Sequence, residues 1–71
     1  MLSKEQKKYM VESKINIIEG VIFNLDLSTL EEQAKSQPNL EHLNNIAIEK
    51  GDNLAALEAM TNKLEEVLSE Q

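Results

Sequence analysis

The chain contains no cysteine and a single histidine, His42. Without thiols, neither a disulfide framework nor a thiolate metal centre can form, and one imidazole does not make a structural zinc site. There is no arginine either, and seven lysines face thirteen acidic residues, for a formal net charge of −6. That balance opposes nucleic-acid binding, which neutralises phosphates with cations and reads guanine best with the arginine fork. Glycine is limited to Gly20 and Gly51, too few for a phosphate-cradling loop. Long apolar runs are missing too. The nearest, Ile15–Leu27, is broken by Asn16, Glu19, Asn24 and Asp26, so we expect no membrane span and no signal peptide. A cytoplasmic protein follows as the expectation, and the absence of cysteine fits a reducing compartment. Lysine used without arginine, beside many Ile and Asn, is the usage of an AT-rich gene, as in a low-GC bacterium or a phage.

What is present is one domain's worth of helix-forming sequence. Seventy-one residues bury only ~60% of the surface that the unfolded chain exposes. With disulfides and metals excluded, oligomerisation is the ordinary remedy for so small a core. The acidity is uneven: residues 1–20 carry +1 and residues 21–71 carry −7, so a cationic partner would meet the C-terminal two-thirds.

Ser3 followed by Gln6 is a capping-box pattern and predicts a helix start. Val11, Ile15, Ile18, Ile22 and Leu25 then recur in steps of four and three, one helical face, widened by Ile17 and Val21. A strand over residues 21–27 is the competing reading, since its β-branched content and alternation suit one. Nothing convincing elsewhere could pair with such a strand, which favours the helix. Ser28 with Glu31 and Thr29 with Glu32 are overlapping caps, predicting a break and a short connecting helix from Thr29 to Ser36. Pro38 suits the first turn of a third helix running to Lys50.

The stretch Ile46–Met60 admits three readings. A heptad row Leu40, Leu43, Ala47, Lys50, Leu54, Leu57, Thr61, Leu64 and Leu68 keeps its phase across Gly51, as in one long helix. Lys50-Gly51-Asp52-Asn53 has instead the chemistry of a stop and restart, with lysine in a last turn, glycine after it and Asp52 as the next cap. Ile48, off the row, would be buried only in a bundle. We therefore expect a hairpin or kink at Gly51–Asn53, followed by a helix from Asn53 to about Ser69. The third reading is a DNA-reading helix-turn-helix around Ala47 and Gly51. It is disfavoured because Lys50 and Asp52 occupy core-facing positions and the following helix is acidic. The ends, Met1–Leu2 and Glu70–Gln71, are expected to fray.

No catalytic, cofactor-binding or metal-ligating constellation is expected. His42 has no acid three or four residues away, and the serines and threonines read as caps without a base nearby. Lys4, Lys7, Lys8 and Lys14 could lay the first helix on an anionic membrane, but Glu5, Glu12 and Glu19 nearly cancel them.

The expected fold is thus an all-α small bundle: a long N-terminal helix, a short connecting helix, and a C-terminal pair turning near Gly51, completed by dimerisation. Val11, Ile15, Ile18, Ile22, Leu25, Leu54, Leu57, Leu64 and Leu68 would form the oligomer core. Glu41, Glu49, Asp52, Glu58, Glu65, Glu66 and Glu70 would form an acidic face. The expected function is a non-enzymatic interaction module, an adaptor, assembly factor or regulator whose partner is another protein. The alternative is an acidic inhibitor that blocks a nucleic-acid-binding surface by imitating phosphates.

Overall fold

The computed structural model describes residues 1–70 and consists of two α-helices, α1 (Lys4–Gln33) and α2 (Leu40–Leu68). They form an antiparallel hairpin, a rod of 56 × 16 × 14 Å, and no strand occurs among the described residues. The predicted capping box is formed: the Gln6 amide N–H donates to Ser3 Oγ at 3.1 Å, and the Ser3 N–H donates to Gln6 Oε1 at 2.8 Å. The fraying expected at Gln71 lies outside the described residues.

Two heptad rows make the seam. In α1 it runs Lys4, Lys8, Val11, Ile15, Ile18, Ile22, Leu25, Thr29 and Glu32, all buried or half-buried. In α2 it runs Leu43, Ile46, Lys50, Asn53, Leu57, Met60, Leu64 and Val67, again without an exposed member. Steps alternating between three and four average 3.5, the repeat that keeps one face turned to a partner helix. Cross-helix pairs mark the register. Lys7 meets Glu70 at the open end, Lys50 meets Asp26 in the middle, and His42 meets Glu32 beside the turn. The helical reading of residues 21–27 and the Val11–Leu25 face are thereby observed.

The break predicted at Ser28–Thr29 does not occur, and no separate connecting helix exists. The seam steps on in phase from Leu25 to Thr29 and Glu32. The Thr29 hydroxyl donates to the Leu25 carbonyl at 3.0 Å, a bond made inside a helix rather than at a cap. The chain reverses instead at residues 34–39, and Asn39 caps α2 by accepting the His42 amide N–H at 3.0 Å, which puts Pro38 ahead of the helix rather than in its first turn. Pro38 stands just before this cap, and the residue ahead of a proline, here Gln37, is disfavoured from helical backbone.

The turn or kink predicted near Gly51 is also absent, because α2 runs unbroken through it. Gly51 sits on an exposed column with ordinary negative φ. Asn53 spends its side-chain amide on the Glu49 carbonyl at 2.9 Å, inside the helix, so neither it nor Asp52 serves as a cap. A glycine inside a helix costs about 1 kcal/mol relative to alanine. Breaking α2 there would instead give up the seam contacts of Leu57, Met60, Leu64 and Val67 with α1, a larger loss. The heptad row through Leu40, Ala47, Leu54, Thr61 and Leu68 is the column beside the true seam, with Leu40, Leu54 and Leu68 all exposed.

Candidate interaction surface

The buried polar residue among those described, Glu32, closes the turn. Glu32 is 5% exposed and uses both carboxylate oxygens: Oε2 accepts the Asn39 amide N–H at 3.0 Å, and Oε1 accepts Lys35 Nζ at 3.0 Å. His42 Nε2 lies 3.9 Å from the same Oε1, an ion pair only when the imidazole is protonated. The Asn39 N–H and then Lys35 hold the Glu32 carboxyl below the ordinary glutamate range, against a weaker opposing effect of burial. The cluster is a turn lock, with every partner accounted for within the chain. Among the described residues no group of three His, Asp or Glu side chains is arranged to hold a metal ion.

The outer surface has more unmet demand. Ile18, Ile46 and Val67 are the only fully buried apolar residues among those described, whereas thirteen large apolar side chains are exposed. A rod this thin has no interior to receive them. Its accessible area is 5459 Å², while a compact monomer of 8.0 kDa exposes about 4,450 Å². The excess, roughly 1,000 Å², is comparable to the ~800 Å² that one partner contributes to a standard interface.

The exposed residues sort into two broad sides of the hairpin. On one, the α1 column Glu5, Glu12, Glu19 and Asp26 runs next to the α2 column Leu40, Ala47, Leu54, Thr61 and Leu68. Two recesses mark this side, one joining Glu19, Phe23 and Asp26 to Leu54, the other joining Tyr9, Glu12 and Asn16 to Leu64. On the opposite side Lys7 bonds Glu70 at 3.0 and 3.2 Å, and a third recess gathers Leu2, Lys7, Met10 and Lys63. Charge follows the same division. Lys7, Lys14 and Lys63 occupy columns of the second side, interspersed with Glu49, Glu66 and Glu70. On the first side the acids outnumber two seam lysines: Lys8, one helical turn from Glu5 and Glu12, and Lys50, whose Nζ reaches out to Asp26 Oδ1 at 2.7 Å.

Of the nine residues expected in the oligomer core, Val11, Ile15, Ile18, Ile22, Leu25, Leu57 and Leu64 lie on the seam between α1 and α2 of one chain. Leu54 and Leu68 are on the outer surface, 47% and 49% exposed. The seven residues expected in the acidic face spread over the whole outward half of α2, and two are engaged, Glu70 with Lys7 and Glu66 with Lys63 at 3.5 Å. The column Glu5, Glu12, Glu19 and Asp26 lies on α1, where the sequence pattern sets Glu5, Glu12 and Glu19 against the lysines rather than in a face of their own. Its seven-residue spacing is visible in the sequence. Glu32 could have been found by continuing the Val11–Leu25 rhythm two steps further.

Comparison with known protein families, with curated proteins and with solved structures finds no match for this chain. No helix among the described residues is long and apolar enough to cross a membrane.

Proposed function

We propose that this protein is a non-enzymatic interaction module, a small adaptor, assembly factor or regulator that presents a rigid helical hairpin to other helices. One observation carries the reading: among the described residues thirteen large apolar side chains are exposed against three that are buried, and several of them recur at seven- or fourteen-residue spacing along both helices. Single exposed apolar residues are ordinary, but rows of them on a rod whose total surface exceeds that of a compact monomer by about 1,000 Å² support a face that another helix covers. The polar groups at the turn are spent on structure, which argues against a reaction centre there.

Self-association belongs to this reading. The lysine-bearing side carries both signs of charge around Met10, Ile17 and Val21, and a mixed-charge surface can meet a copy of itself across a two-fold axis. Sedimentation equilibrium across a concentration series tests it. A dimer that Ile17→Glu returns to monomer supports self-association, and a wild-type monomer at every concentration removes it and leaves contact with another protein's helix as the whole of the reading.

The alternative, an acidic inhibitor of a nucleic-acid-binding surface, is favoured by the column Glu5, Glu12, Glu19 and Asp26, with carboxylates about 10 Å apart at 1.5 Å rise per residue. Its signature would be binding that falls steeply with ionic strength, whereas contact through apolar anchors changes less.

A further inference from the structure

We infer that the acidic side of the hairpin is a groove for one cationic amphipathic helix of a partner protein, laid along α1 and α2 to complete a three-helix bundle. The inference rests on the interaction-module reading and specifies its surface and the chemistry of its occupant.

Three features of this side argue together. First, it offers apolar anchors at helical spacing on both walls: Tyr9, Phe23 and Leu30 on α1, which are 64–73% exposed, and Leu40, Leu54 and Leu68 on α2. Tyr9 and Phe23, and likewise Leu40, Leu54 and Leu68, are fourteen residues apart, about 21 Å along a helix. An incoming helix would therefore meet an anchor on each wall about every four turns, with Leu30 one heptad beyond Phe23. Second, the carboxylates between and beside these anchors are unneutralised. Among the described residues, no lysine nitrogen lies within 4.0 Å of a carboxylate oxygen of Glu12, Glu19, Glu58 or Glu65. Third, the excess of acidic over basic charge selects the occupant. A second copy using the same face would bring two acid-rich surfaces together, and like charges juxtaposed across an interface repel. A helix carrying Lys or Arg beside its apolar stripe pairs those carboxylates while its stripe covers Phe23 and Leu54. The recess between Glu19, Phe23, Asp26 and Leu54 shows that both kinds of group converge on one spot. This binding mode is helix-in-groove, with affinity from apolar anchors and orientation from charge.

The test uses three synthetic 21-residue peptides and the isotope-labelled full chain. One peptide has leucine at heptad seam positions flanked by lysine, the second has the same residues in scrambled order, and the third has glutamate in place of lysine. Amide shift changes locate each contact and calorimetry gives each Kd. We expect the ordered lysine peptide to bind with shifts at Glu19, Phe23 and Leu54, and to bind about tenfold or more tighter than the scrambled one. The pair Glu12→Lys and Glu19→Lys should weaken it by about tenfold or more, while Lys14→Glu on the other side should not weaken it; circular dichroism confirms that each variant keeps its helix. Equal binding of the scrambled peptide would reduce the effect to net charge and overturn the groove. Shifts confined to the Lys14 side, no binding at all, or a self-association abolished by Leu54→Ser would overturn it as well. Preferential binding of the glutamate peptide would sink the cationic occupant but leave the interaction-module reading standing.

Discussion

Glu32 and Asn39, seven residues apart in sequence, are joined across the hairpin turn by the Asn39 N–H donating to the Glu32 carboxylate at 3.0 Å. The bond ties the end of the seam in α1 to the cap of α2, since Asn39 Oδ1 in turn accepts the His42 N–H. A carboxylate favoured by a donated N–H and by Lys35 has a lowered pKa, and the sign of its linkage to stability follows. The stabilisation is fully present above the ordinary glutamate pKa of about 4.3 and is lost as pH falls through the lower folded value. We expect Glu32→Gln to lower the melting temperature at pH 7 and to lessen its decline with acid below about pH 4.3. Thermal unfolding by circular dichroism at a series of pH values checks this, and parallel declines in the two proteins would refute it.

Gly51→Ala should stabilise the hairpin. Nothing lies within 4 Å of a Cβ added at Gly51, φ is not positive, and the position is inside a helix. The gain should be about 0.5–1 kcal/mol, seen in chemical denaturation. A destabilising result would put the glycine at a turn after all.

Lys50 and Asn53 are the polar steps in the α2 seam. In the register marked by Asp26 and Lys50, they lie at the level of Leu25 and Ile22. Lys50→Leu should raise stability by on the order of 1 kcal/mol, because it replaces a charge and its desolvation by apolar contact. Asp26→Ala should change stability by less than about 1 kcal/mol, since its ion pair is partly solvated, with the two side chains 51% and 38% exposed. Denaturant midpoints of the two variants give the comparison, and a large loss in Lys50→Leu would mean that the ion pair, not the seam, orders the middle of the rod.

Ile18→Ala should cost about 2–5 kcal/mol, because the residue is 4% exposed at the centre of the seam. That is comparable with the roughly 4–10 kcal/mol total expected of a domain this size. Leu54→Ala, on the outer surface, should stay within about 0.5 kcal/mol in the isolated chain. The contrast separates the residues that hold the hairpin from those available to a partner, and equal losses would show that Leu54 belongs to the core.

How much of this was legible depended on the local chemistry of each helix. The α1 seam could be read directly, because Val11, Ile15, Ile18, Ile22 and Leu25 are all apolar and in phase. The last part of the α2 seam could be read as a stripe of Leu57, Met60, Leu64 and Val67, although Leu54 and Leu68, which belong to the exposed neighbouring column, joined that stripe. The part around Lys50 and Asn53 could not, because both residues are polar. At Gly51 and at Ser28–Thr29, capping chemistry competed with seam continuity, and continuity prevailed because a break forfeits every contact beyond it. The acidic side was hidden for a different reason. Glu12 and Glu19 stand in α1 while Leu54 stands in α2, and only the register brings them together.

The central claim is that another protein's helix covers the outer columns of this hairpin. A photoreactive phenylalanine analogue placed at position 54, with a control at Asn62 on the outward side of α2, tests it most directly in cell extract, with the products mapped by mass spectrometry. The account predicts cross-links from position 54, and not from position 62, to one face of a helix bearing lysine or arginine beside its apolar stripe, competed by the ordered lysine peptide. Equal cross-linking from both positions, or none from position 54 at concentrations where the chain is folded, would contradict it.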